Sequence, residues 1–204
     1  MLDYKKEYKD LYQPSTKPSI VAVPKMRFLA VSGKGNPNAE GGEYKAALGA
    51  LYAVAYTLKM SYKTDYAIDG FEQYVVPPLE GLWKGEIDYA HKENLEWISL
   101  IRLPDFISDK DVEWAKTTAE QKKKIDCSKV KVFGYDEGEC VQIMHIGSYD
   151  DEPASVAKMH EFAETEGYKS DFGERLHHEI YLSDPRRCEP SKLKTVIRHP
   201  VAKK

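Results

Sequence analysis

One order of elements, strand, helix, strand, strand, can be read twice along this chain, so its fold has to accommodate the same small unit two times. The later copy is the clearer. Glu139 to Ile146 alternates as a strand up to Gly147, Asp150 and Asp151 stand where a helix cap belongs, Pro153 sits near the first helical position, and Gly167 stops the amphipathic stretch. In the earlier copy Met26 to Ser32 alternates, GKGNPN turns, and Glu43 to Met60 sets Ala47, Leu48, Leu51, Val54, Ala55 and Leu58 on one helical stripe. VVPPLEGLWKG and EWISLIRLP then read as two strands separated by the polar turn EIDYAHKEN.

Each unit is too small to bury both faces of its strands. The expected fold is therefore α+β, with duplicated strand-helix-strand-strand units related by a pseudo-twofold. It would have an antiparallel sheet, helices on one face and a central ligand cleft where the repeats meet. The expected boundaries are an N-terminal arm over 1–19, polar and punctuated by proline, and a single domain over 20–204. Within that domain lie a first repeat over 20–107, a linker helix over 108–126 and a second repeat over 127–201. Ser108 with Asp111 gives the linker helix a capping-box-like start, and its lysine-rich end suits the helix dipole.

Charge and composition remove several classes of function. A net charge of −3 gives no electrostatic reason to expect a nucleic-acid partner. No apolar run approaches the roughly 20 residues needed to span a bilayer, and MLDYKKEYKD lacks a signal-peptide apolar region, so a cytoplasmic location is expected. Cys127, Cys140 and Cys188 are odd in number and without CxxC spacing, the pattern of reduced structural thiols. Adjacent strand residues point to opposite faces, so His177 and His178 do not converge on one ion. No HxH or HExxH motif is present either, and neither metal nor cofactor is expected. No GxSxG elbow, activated cysteine or phosphate loop is present.

The residue out of place is Glu179, a carboxylate inside an otherwise apolar strand. Period-two alternation puts it with Tyr181 on one face and His178, Ile180 and Leu182 on the other. A carboxylate in an apolar cleft pairs with a cationic ligand or has the raised pKa of a general acid or base, and the bland alternative is a salt bridge to Arg175 or Arg198. Glu80 occupies the matching place in the first copy, where it faces Glu179 across the pseudo-twofold or is a solvated turn residue after Pro77 and Pro78. Gly81 allows close approach of a flat ligand or of another backbone. Trp83 and Trp97 are candidate walls for a planar ligand, with core packing the alternative, and Trp114 on the linker helix is the less suited tryptophan. Fourteen tyrosines against six phenylalanines favour an aromatic but partly polar cavity, since each tyrosine brings ring area and a hydrogen bond together.

As a set, GECVQIMHIGSYDD, HHEIYLSDPRR and VIRHPV strongly resemble the GyrI-like small-molecule-binding domain, with MRFLAVSGKG and YVVPPLEGLWKG as its divergent first unit. The resemblance covers about Ile20 to Val201. It implies a duplicated domain that binds aromatic or amphipathic compounds, in which the family's glutamate corresponds to Glu179 and its second-helix tyrosine to Tyr149. The PPLEGLW element resembles a subgroup of hydrolases that open the cyclopropane of DNA-alkylating natural products by water addition. Lys84 departs from that subgroup, where a second aromatic residue follows the tryptophan. The resemblance thus implies a ligand held by Trp83, Trp97, Tyr181 and Gly81, with Glu179, Tyr149 and Glu80 catalytic. The alternatives are a non-catalytic module that sequesters or senses cationic amphipathic compounds and a gyrase-inhibitor-like interaction protein, its protein partner unknown.

Overall fold

The computed structural model describes residues 1–84 and 91–204. Along the chain run α1 (Tyr4–Glu7), α2 (Lys9–Tyr12), β1 (Ser19–Val23), β2 (Met26–Lys34), α3 (Glu43–Lys59), β3 (Leu79–Lys84) and β4 (Glu96–Arg102). There follow α4 (Asp109–Lys123), β5 (Lys131–Tyr135), β6 (Gly138–Ile146), α5 (Glu152–Thr165), β7 (Tyr168–Ser170), β8 (His177–Tyr181) and β9 (Lys194–Lys203). The expected α+β order occurs twice, as β2-α3-β3-β4 and as β6-α5-β8-β9. The short strands β1, β5 and β7 are additions that sequence periodicity did not separate from their surroundings. Of the turn expected between β3 and β4, residues 86–90 lie outside the described residues, and Lys92–Asn94 form a single 3-10 turn.

The chain forms two compact units, and sequence order does not divide them. One comprises Met1–Asp3, Met26–Pro77 and Ala90–Tyr135; the other comprises Tyr4–Lys25, Pro78–Tyr89 and Asp136–Lys204. In the first, β2 pairs antiparallel with β4 and β5, and α3 packs on β2. The helical stripe buries Ala47, Leu51, Val54, Ala55 and Leu58 with Ala50 and Ala53, while Leu48 lies at its half-buried edge. Helix α4 packs on α3 and opens with the expected capping box, Ser108 and Asp111 each satisfying the other's backbone N–H. Trp114 on this helix stacks on Tyr66 at 4.0 Å between ring centroids, and Tyr66 donates to Asp111 at 2.9 Å.

In the second unit the strand order is β1-β6-β9-β8-β3, with β7 also on β9, and the described pairs are antiparallel. Helix α5 covers one face, where Met159 and Ala163 pack on Val141, Ile143, Ile197 and Val201. Pro153 stands at the start of α5 as expected, and Gly167 ends the segment at a positive φ of 81°. The cap differs from the expectation: Tyr149–Asp151 form a 3-10 turn, and Asp151, at the cap position of the helix, makes no side-chain cap hydrogen bond. The Asp151 carboxylate instead accepts from the Ser148 hydroxyl at 2.6 Å, which leaves Glu152 as the first residue of the helix. The arm is more than a polar tail, since Leu11 and Tyr12 of α2 are buried. Cys127 and Cys140 are buried free thiols, and among the described residues no helix is long and apolar enough to cross a membrane.

Trp97 sets a sharp steric test of the first unit. It is 1% exposed, meets Tyr44 edge-on at 4.9 Å, and lies over Gly33 so closely that a Cβ there would be 2.3 Å from its ring. Gly33→Ala is expected to cost about 1–3 kcal/mol through overpacking, read as a lower urea midpoint at unchanged slope; an unshifted midpoint would mean that the ring has room to move.

Candidate active site

Strand β8 supplies the centre of the site because its successive side chains serve opposite faces. The register sets Glu179 between Gly81 of β3 and Ile197 of β9, and sets His178 between Leu82 and Arg198. Glu179 therefore lies on the face that α5 covers, and His178 on the face that the arm covers. The alternation expected for Glu179 with Tyr181 holds. The expected opposition of Glu80 to Glu179 does not: Glu80 pairs with Ile180, and its side chain turns to the His178 face. A carboxylate one strand position away falls on the other side of the sheet, so the matching motif positions in the two copies do not meet.

On the arm face a buried charged row runs from Glu80 through His178 and Glu137 to Arg198. His178 Nε2 is 2.8 Å from Glu80 and its Nδ1 2.9 Å from Glu137, so both ring nitrogens donate and the ring is an imidazolium. Burial alone would lower the pKa of His178; the charges and hydrogen bonds of Glu137 and Glu80 outweigh it and hold the group at about 9. Burial likewise disfavours the Glu137 carboxylate, but His178 and Arg198 bring its pKa down to about 2. Arg198 donates to Glu137 at 3.0 Å, to Gln142 at 3.2 Å and to the Leu11 carbonyl at 2.8 Å, and the Tyr12 hydroxyl donates to Glu80 at 3.2 Å. This row clamps the arm to the sheet. It also answers the bland alternative for Glu179, because Arg198 goes to Glu137 while Arg175 binds the Glu137 and Glu139 carbonyls and the Asp171 carboxylate.

On the α5 face Glu179 is 4% exposed and accepts from His177 Nε2 at 2.8 Å. Its second carboxyl neighbour is Glu152, 1% exposed at the start of α5. Burial and the negative charge of Glu179, with a hydrogen bond between the two, push Glu152 up to about 10. Burial would raise Glu179 as well, but hydrogen bonds and charge from His177, with hydrogen bonds from Tyr181 and Glu152, carry it below its ordinary value. Two carboxyl groups thus share one proton, held on Glu152, with Glu179 ionised. The Oε1 atom of Glu152 has no hydrogen-bond partner among the described residues.

Around this pair stand Trp83, Tyr181 and Tyr149. Trp83 Nε1 donates to the Tyr181 hydroxyl at 3.1 Å, and Tyr149 meets the Tyr181 ring edge-on at 5.9 Å between centroids. Burial, then the charges of Glu179 and Glu152, push the Tyr149 phenol up to about 12, which keeps it a hydrogen-bond donor. Gly81 is where this packing is tightest: a Cβ there would lie 2.8 Å from the Tyr181 hydroxyl and 3.1 Å from Trp83 Nε1. Trp97 belongs to the core of the first unit.

Glu152 and His177 are the site residues that sequence reasoning missed. Glu152 ends the acidic run SYDDE ahead of a proline, a pattern that reads as solvated charge complementing a helix dipole. Only the fold selects which of three neighbouring acids is buried. His177 and His178 serve different networks, as their opposite strand faces imply. Glu152, His177 and Glu179 nevertheless bring their ligand-type atoms within 4.8 Å of one another, close enough to hold a cation. The shared proton and the His177 hydrogen bond account for that closeness, and an ion would have to displace both.

Residues 16–202 match the family model of the GyrI-like small molecule binding domain. A solved structure described as a hydrolase from Listeria innocua superposes with TM-score 0.92 at 47% identity, covering 99% of this chain and 100% of the other. Another solved structure, also described as a hydrolase from that organism, gives TM-score 0.93 at 48% identity over 98% of this chain and 99% of the other. The C-terminal domain of EcmrR, at 13% identity and TM-score 0.56 over 92% of this chain and 98% of that one, shares the fold. No curated protein matches the chain.

The buried row makes stability depend on pH at both ends. His178, held at about 9 against an ordinary 6.5, contributes stability that is complete below pH 6.5 and lost as pH rises through 9. Glu137, held at about 2 against an ordinary 4.5, contributes stability that is complete above 4.5 and lost as pH falls toward 2. Urea unfolding across pH is expected to show the row's full contribution between those ordinary values, and His178→Gln to flatten the alkaline limb. Arg198→Met, which strands the Glu137 charge, is expected to cost about 3–5 kcal/mol; a cost below about 1 kcal/mol would show the row to be dispensable.

Proposed function

We propose that this chain, which belongs to the GyrI-like small-molecule-binding domain family, hydrolyses a strained cyclopropane in planar aromatic, DNA-alkylating compounds and so protects the cell that makes it. The observation that carries this reading is the buried, closely spaced carboxyl pair of Glu152 and Glu179 in an aromatic-walled setting, the first raised and the second lowered from the ordinary carboxylate pKa. Water addition to a cyclopropane conjugated to a ring carbonyl needs one base and one acid at once. Glu179 takes a proton from water as the water oxygen bonds to the ring methylene. The strained carbon–carbon bond breaks, and its electron pair moves through the conjugated system onto the carbonyl oxygen. Glu152 gives its proton to the resulting phenolate, with Tyr149 donating a hydrogen bond to the developing charge. The proton on Glu179 then returns to Glu152 through the hydrogen bond between them, restoring the starting state. Strain release makes a carboxylate of lowered basicity sufficient.

In this scheme Trp83 and Tyr181 hold the flat ligand, and Glu80 acts from the far face of the sheet by fixing His178 and thereby the position of β8. The close likeness to solved structures described as hydrolases supports a hydrolytic reading over a purely binding one. The ionised, buried Glu179 also favours a second reading, capture of cationic amphipathic compounds without chemistry. Incubation with a cyclopropane-bearing duocarmycin-type compound, followed by mass spectrometry, separates the two. Wild type is expected to add one water, and Glu179→Gln and Glu152→Gln each to lower the rate by about 10²-fold or more. Compound that binds but stays unchanged would overturn hydrolysis and leave sequestration.

A further inference from the structure

Three histidines extend from Glu179 in single file. His177 Nε2 is 2.8 Å from Glu179 Oε1, His199 Nε2 is 2.6 Å from His177 Nδ1, and His160 Nε2 is 2.8 Å from His199 Nδ1. His177 and His199 each use one nitrogen toward the carboxylate and the other toward the next ring, and His160 closes the file through its Nε2. The secondary structure makes this arrangement. The register that sets His178 against Arg198 brings His177 of β8 beside His199 of β9, and His160 descends on His199 from α5, two turns after Glu152. His177 and His199 are 6% and 4% exposed, whereas His160 is half-buried at the outer end.

We propose that His177, His199 and His160 form a proton-conducting line that joins the Glu179–Glu152 pair to solvent on the α5 side of the second unit. With Glu179 ionised, His177 Nε2–H donates to it, His177 Nδ1 accepts from His199 Nε2–H, and His199 Nδ1 accepts from His160 Nε2–H. In that orientation His177 and His199 each donate through one nitrogen and accept through the other. Burial, then the neighbouring His177 and His160, holds His199 down to about 2, and burial, then His177, lowers His160. Transfer moves one proton along the file and leaves every ring in its other tautomer. A proton entering at His160 Nδ1 releases its Nε2 proton to His199 Nδ1, His199 releases its Nε2 proton to His177 Nδ1, and His177 gives its Nε2 proton to Glu179. The line rests on the reading of Glu179 and Glu152 as a working acid–base pair, and it lets the pair equilibrate with solvent while a ligand fills its aromatic side. In this role the histidines act through Glu179 and touch no substrate.

The test follows the carbonyl stretch of protonated Glu152 by infrared spectroscopy after rapid mixing of the whole, ligand-free protein into D2O. The band is identified by its loss in Glu152→Gln. In wild type its deuterium shift is expected to be fast; in His160→Ala, a change at a half-buried helix position, it is expected to slow by about tenfold or more and to be restored by added imidazole. His199→Gln, which keeps a polar side chain but interrupts the file, is expected to slow it without rescue. Wild-type exchange in His160→Ala overturns the proposal, and so does slow exchange that imidazole leaves unchanged, because a packing role would not respond to a free proton carrier. The readout needs no turnover. Absence of hydrolysis with this exchange pattern intact would sink the proposed reaction alone, whereas normal hydrolysis with unaltered exchange would sink the line alone.

Discussion

The second unit depends on the register of one five-residue strand. Strand β8 lies between β3 and β9, and its alternation divides two consecutive polar residues, His178 and Glu179, between opposite faces of the sheet. A slip of one position would send the Glu179 carboxylate into the Glu137–Arg198 row and the His178 imidazolium toward Glu152. Each outcome buries a charge beside the wrong partner, so electrostatics as well as apolar packing hold the register.

The two faces then do different work with the same residue types. On the arm face, Glu80, His178, Glu137 and Arg198 balance two negative charges with two positive ones and leave each charge hydrogen-bonded, which is the condition for burying ions at tolerable cost. On the α5 face the count is deliberately short. Glu152 and Glu179 lie against each other with His177 rather than an arginine as the polar partner, and burial together with the Glu179 charge raises Glu152. An acid and a base made from identical side chains follow from that imbalance. Gly81 and Trp83 bring β3 into the same site, although β3 arises in the first half of the sequence.

Much of the architecture was legible because it rests on local rules. Periodicity located α3 and its buried stripe, Ser108 and Asp111 announced α4, Pro153 and Gly167 bracketed α5, and the doubled element order with its motifs led to the family. Glu179 stood out because a charge inside an apolar strand is locally anomalous. The remaining elements carried no such signal. Strand β7 is only three residues long, and β1 and β5 do not alternate cleanly between buried and exposed positions, so periodicity does not separate them from loop sequence. Trp97 and Trp83 looked alike in sequence, yet the first is locked against Gly33 and Tyr44 while the second hydrogen-bonds to Tyr181.

The amino-acid order by itself determined the repeated strand-helix-strand-strand order, the cap of α4, the buried stripe of α3 and the identity of one carboxylate worth following, because those properties depend on neighbours within a few positions. Tertiary structure alone decided that Glu152 rather than Glu80 meets Glu179, that His178 is charged while His199 is neutral, and that three histidines distant in sequence align into one file. Those outcomes depend on which strands lie side by side and on how deeply each group is buried. Burial and pairing set protonation, and neither is a property of any short stretch of chain.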